Sequence, residues 1–235
     1  FWRRGISFYL DAKGFQYKTN PQDQATAPRA CQWRKRNEGL EFRLTRKCSK
    51  ARVVNVNFIV AISYGAGVVL WEPYFGSTTA EKIATIVADH FDTAFLKSSN
   101  PITRRFLMDN FPRQKFKKAM TAYEKVKSMA FCIQPRSPDL NPIENFFNQV
   151  NQVLQKQALD SNIKKESKEV FTKRVKHTMI SFDKTKIDRI IDTMLKAYNQ
   201  SDSRKRTSYI ILMKNTGIYI LFHNIKLFSF IDCMS

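Results

Sequence analysis

Three carboxylates stand where elements of structure are expected to end. Asp11 follows the apolar run ISFYL, Asp109 follows RRFLM, and Glu144 lies within SPDLNPIENFF, just inside a helix start. Acids far apart in sequence but delivered at strand and helix ends suit a divalent-cation site for phosphoryl transfer. Mg²⁺ is hard, prefers oxygen ligands and keeps open positions for phosphate and water. Two such ions about 4 Å apart can activate an attacking oxygen and stabilise a leaving one. Asp139, one loop before Glu144, is either a fourth ligand or a turn residue. The spacing leaves plainer roles open. Asp after a strand often forms a turn, which would account for Asp11 and Asp109. With Asn141 as N-cap and Pro142 at the first helical position, Glu144 falls third, where a carboxylate reaches back to the cap and complements the helix dipole.

The elements that must carry these acids can be read from apolar periodicity. ISFYL and GFQYKT read as a hairpin turning at Ala12-Lys13-Gly14, followed by a polar, proline-bearing loop. ARVVNVNFIVAISYGAGVVLWEPYF reads as two strands joined at Gly65-Ala66-Gly67. TTAEKIATIVADHFDTAFLK places Ile83, Ile86, Val87, Phe91 and Phe95 on one helical face after a threonine cap. RRFLMDN is a short strand, RQKFKKAMTAYEKVK a basic helix, MAFCIQ a buried strand, and residues 142 to about 159 another helix. Two further helices are expected between 161 and 200. Val170, Phe171, Val175, Met179 and Ile180 face the core on the first; Ile187, Ile190, Ile191, Met194 and Leu195 do so on the second. The order is that of an α/β domain with a mixed sheet.

Charge narrows the partner. Forty Lys and Arg against twenty Asp and Glu give a formal net charge of +20, which favours a polyanion, because each neutralised phosphate releases condensed counterions. Trp33 and eight basic residues (Arg34, Lys35, Arg36, Arg43, Arg46, Lys47, Lys50 and Arg52) form a dense positive patch, either a solvated loop or a phosphate-contacting one. The four cysteines lie far apart with no C-x-x-C pair, so neither a zinc site nor a disulfide framework is expected, and a reducing compartment fits. Residues 209 to 231 are largely apolar, but Lys214, Asn215, His223, Asn224 and Lys226 interrupt them, which argues against a membrane span. The chain begins without Met inside an apolar segment, as a piece of a longer protein would.

Taken together, SPDLNPIENFF, FYLDAKGFQYKTNPQDQATAPRACQWRKRNEGL and LMDNFPRQ, with 34 residues between Asp109 and Glu144, resemble the catalytic domain of mariner-superfamily DDE transposases of the Tc-like branch. The resemblance runs from about residue 1 to 206. It implies a ribonuclease-H-like fold, a mixed sheet flanked by helices, with 1–160 as the catalytic core and 161–206 as C-terminal helices of the same domain. It implies cleavage and strand transfer of double-stranded transposon DNA with two Mg²⁺ or Mn²⁺ ions held by Asp11, Asp109 and Glu144. It turns the basic residues from Trp33 to Arg52 into DNA-backbone contacts, and it points to a DNA-assembled homodimer in the nucleus, with no small-molecule substrate and no membrane. The chain departs from the family pattern in four places. It lacks the paired helix-turn-helix modules, carries Phe111 two positions after Asp109 where relatives are commonly acidic, has a shortened connection before Val53, and ends in an apolar tail (207–235) without family counterpart. The departures leave an alternative: a degenerate, inactive relic that binds DNA non-specifically.

Overall fold

The computed structural model describes residues 5–22, 54–109, 117–133, 141–202, 210–214 and 217–221, with backbone alone for 195–202 and the last two segments. Seven strands form one mixed sheet in the order β3-β2-β1-β4-β5-β6-β7. β1 (Phe8–Tyr17), β2 (Val54–Ser63) and β3 (Gly67–Tyr74) are antiparallel neighbours. β4 (Arg105–Met108) runs parallel to β1, and β5 (Met129–Cys132) parallel to β4. Beyond them β6 (Ile210–Lys214) and β7 (Gly217–Leu221) continue the sheet as an antiparallel pair. The apolar tail, to which the sequence assigns no element, therefore adds two strands to the β5 edge.

Five helices cover the faces: α1 (Ala80–Lys97), α2 (Lys117–Lys125), α3 (Pro142–Asp160), α4 (Lys168–Ile180) and α5 (Lys184–Asp202). Because successive strand residues point to opposite faces, β1 divides between two cores. Phe8 and Leu10 join Phe91 and Phe95 of α1, Phe106 of β4 and Tyr123 of α2. Tyr9 and Phe15 face the other way, onto Phe147 and Val150 of α3, Val175 of α4 and Ile191 of α5. The first core is dense in rings: Phe8 stacks on Phe106 at 5.5 Å and meets Phe91 edge-on at 5.4 Å, geometries that add to simple area burial.

The helices start and stop where their sequences say. Thr79 caps α1 by accepting from the Lys82 N–H, and Ser167 caps α4 by accepting from the Val170 N–H; each satisfies a donor that the first helical turn leaves orphaned. Two expectations need correction. The expected hairpin over residues 6–19 is a single strand: Lys13 and Gly14 pair with Phe58 and Asn57 instead of turning. Gly14 is there because a Cβ would stand 2.8 Å from the Asn57 side-chain oxygen, so the glycine marks close approach rather than a turn. On α4 the buried positions are Phe171, Val175, Thr178 and Met179, whereas Val170 and Ile180 are exposed; the true stripe follows 3.6-residue spacing from Phe171 and excludes them. Among the described residues no helix is long and apolar enough to cross a membrane.

Candidate active site

Strand register brings the first two carboxylates side by side. Leu10 of β1 pairs with Met108 of β4, and Asp11 and Asp109 are the next residue on each of these parallel strands. Neighbouring strands lie about 4.8 Å apart, so the two acids leave the sheet as neighbours. Asp11 is buried, 9% exposed, on the face covered by α3; Asp109 is exposed at the strand end. α3 supplies the third acid. Asn141 takes the N-cap position with extended dihedrals and Pro142 opens the helix, which fixes Glu144 in the first turn above β1.

The helix start also separates two roles for Glu144. Its N–H donates to the Asn141 carbonyl at 3.2 Å, but the Asn141 side chain makes no capping bond, and its buried Oδ1 has no partner among the described residues. The Glu144 carboxylate turns to β1 instead, accepting a hydrogen bond from Lys13 Nζ on Oε2 at 3.1 Å. The side chain is thus aimed at the strand that carries Asp11.

Electrostatics reports the same convergence. Burial pushes the Asp11 carboxyl up; the Ala12 N–H, which donates to Oδ1 at 2.7 Å, opposes the rise, and the negative charges of Glu144 and then Asp109 add to it, leaving the group at about 7. A carboxyl desolvated beside like charges resists ionisation unless a cation joins it. The donor set fits a hard divalent cation in type, since all three groups are carboxylates reached from separate elements. As they stand, no three His, Cys, Asp or Glu side chains among the described residues are close enough together to hold an ion. Lys13 is the residue that sequence reading missed. It is two positions from Asp11, hence on the same strand face, and that periodicity was the available signal. The candidate DNA contacts Trp33, Arg34, Lys35, Arg36, Arg43, Arg46, Lys47, Lys50 and Arg52, with Phe111 and Asp139, lie outside the described residues.

No protein-family profile matches the chain, and no curated protein does. Solved structures do. The catalytic domain of Mos1 mariner transposase superposes with a TM-score of 0.60 at 15% identity, covering 87% of this chain and 83% of that one. The fold is ribonuclease-H-like, the fold of that transposase domain. The same domain with raltegravir and Mg gives 0.59 at 15% identity, covering 87% and 84%. The Mos1 paired-end complex with the left transposon end gives 0.60 at 16% identity, covering 84% of this chain and 54% of that one. This chain therefore spans about half the length of the transposase in that complex, and it covers 83% of the isolated domain.

Proposed function

We propose that this chain is the catalytic domain of a DDE transposase of the Tc-like branch, which cleaves double-stranded DNA at transposon ends and joins the freed 3′-hydroxyl to target DNA. The observation that carries the reading is the meeting of Asp11 and Asp109 on adjacent parallel strands beneath Glu144 in the first turn of α3. Asp11, Asp109 and Glu144 would hold Mg²⁺ or Mn²⁺, two ions in the full site. Bound divalent ions supply Lewis acidity and charge neutralisation for attack on a phosphodiester.

The chain's own residues do the positioning. The β1 ladder fixes Asp11 within the sheet, and the Leu10–Met108 pair sets Asp109 beside it at the end of β4. The start of α3 presents Glu144, and buried Ile143, Phe146 and Phe147 lock that helix onto the sheet. The large positive charge favours DNA as the partner, and a DNA-assembled homodimer acting in the nucleus completes the proposal.

The test is a pre-nicked transposon-end duplex incubated with Mg²⁺ or Mn²⁺ and either wild type or Glu144→Gln. Cleavage that the substitution abolishes supports the enzyme. Because glutamine also serves at the third helical position of a capping box, a variant as active as wild type would refute the catalytic role. Salt-sensitive DNA binding without cleavage in either protein would instead indicate an inactive relic.

A further inference from the structure

Lys13 engages a proposed metal ligand directly. Its ammonium donates to Glu144 Oε2 at 3.1 Å, and it stands 5.4 Å from the centroid of the Phe147 ring on the next residues of the same helix. Phe147 is itself fully buried and meets Phe15, two residues beyond Lys13, edge-to-face at 6.1 Å. The cation therefore sits on a rigid aromatic floor, with 27% of its side chain exposed against 37% for Glu144. The pair joins residues 131 positions apart and ties the start of α3 to β1.

We propose that Lys13 is a positioning residue that acts as a tethered counter-cation: it holds Glu144 against β1 in the metal-free protein and competes with a divalent ion for that carboxylate. The inference rests on reading Asp11, Asp109 and Glu144 as the metal site and adds a built-in competitor to it. An ammonium occupying one carboxylate oxygen removes lone pairs from an incoming ion and repels it at short range. Lysine suits the task because its charge is a compact point on a flexible stem that can swing aside, unlike the forked guanidinium of arginine. Partial exposure leaves it free to move without stranding a buried charge. Cation–π attraction to Phe147 keeps the ammonium near the site once Glu144 turns away.

The test measures Mn²⁺ binding to the full chain without DNA, by calorimetry and by the electron paramagnetic resonance of free Mn²⁺, with folding checked by circular dichroism. Wild type, Lys13→Met, Lys13→Gln, Lys13→Arg, Asp11→Asn, Glu144→Gln and the double variant Lys13→Met/Glu144→Gln are compared. Removing a unit charge a few ångströms from the ion should tighten binding at least about tenfold in Lys13→Met, and in Lys13→Gln should the first fold poorly. Lys13→Arg should stay near wild type. With Glu144→Gln in place, removing Lys13 should change affinity by less than about threefold, because the two residues act as one coupled pair. Lys13→Met should also melt lower than wild type without metal and gain more from saturating Mn²⁺. Equal or weaker binding by both Lys13 variants overturns the proposal, as does tightening that persists undiminished beside Glu144→Gln. If wild type binds Mn²⁺ and Asp11→Asn does not, such a result sinks the competitor alone. If wild type binds no Mn²⁺, the metal reading falls and this proposal falls with it.

Discussion

Asp11 and Glu166 are both buried acids on the side of the sheet covered by α3 and α4, and they sit in opposite electrostatic surroundings. Glu166, with a side chain 1% exposed, is gripped by Arg174 through Nε to Oε1 at 2.8 Å and Nη2 to Oε2 at 2.7 Å. Its backbone is held as well: Tyr17 Oη donates to its carbonyl and its N–H donates to the Thr19 carbonyl. Arg174 spends its remaining arm on the Leu154 carbonyl of α3 at 3.0 Å. This cluster locks the end of β1 to α3 and α4. Among the described residues Asp11 accepts from the Ala12 N–H, and the charged groups that act on it, Glu144 and Asp109, are further acids. Burial alone therefore does not distinguish a structural acid from a functional one. The company does: a satisfied fork reads as architecture, and like charge gathered around a buried carboxyl marks a candidate functional site.

The strongest way to break this contrast is Arg174→Met. It strands a buried carboxylate and should cost about 3–5 kcal/mol, measured by urea unfolding, whereas Arg174→Met with Glu166→Gln should recover part of the loss. A cost under about 1 kcal/mol would show that the fork is incidental and would remove the structural half of the comparison.

Asp11→Asn tests the other half with the opposite sign. A raised folded pKa means that the native state holds the Asp11 proton more tightly than the unfolded chain does. The stability this gives is fully present below about pH 4 and is lost as pH rises through about 7, the folded value. Asparagine removes that loss. The variant should be the more stable protein at pH 8 without metal, by about 2 kcal/mol, and should show no decline of this origin between pH 4 and 7. It should also lose metal-dependent cleavage. A variant that is less stable than wild type at pH 8 would mean that Asp11 already has its compensating charge.

These two acids also mark how far sequence alone reaches. Strands β2 to β5 and the helices follow from local pattern, as β1 does not: the stripe Ile83, Ile86, Val87, Phe91, Phe95 and the Thr79 cap define α1 without any tertiary information. The relation of Asp11 to Asp109 needs strand register, which the resemblance supplied and the Leu10–Met108 pairing now gives physically. Gly14 misled because a glycine between apolar runs signals a turn as readily as close packing, and only the position of Asn57 decides between them. The Glu166–Arg174 fork left no local signature, since it depends on how β1, α3 and α4 meet, and the Lys13–Glu144 contact left only the two-residue spacing of Lys13 from Asp11. The tail strands escaped because a polar-interrupted apolar run fixes no register until β5 offers an edge.

The smallest expected effects lie at two helix starts and sharpen the contrast between satisfied and unsatisfied polar groups. Ser167 Oγ accepts from the Val170 N–H at 3.3 Å, so Ser167→Ala should cost about 1 kcal/mol, the ordinary loss of an N-cap. Asn141 occupies the same position on α3, yet its Oδ1 is buried without a partner among the described residues. Removing a group that makes no bond and has already lost its water forfeits little and relieves a desolvation penalty. Asn141→Ala should therefore change stability by less than about 0.5 kcal/mol, or raise it, when both variants are unfolded in urea under the same conditions. A loss near 1 kcal/mol would place Asn141 with Ser167 among the working caps, and the start of α3 would owe its position to the cap as well as to Pro142 and the buried faces of Ile143 and Phe147.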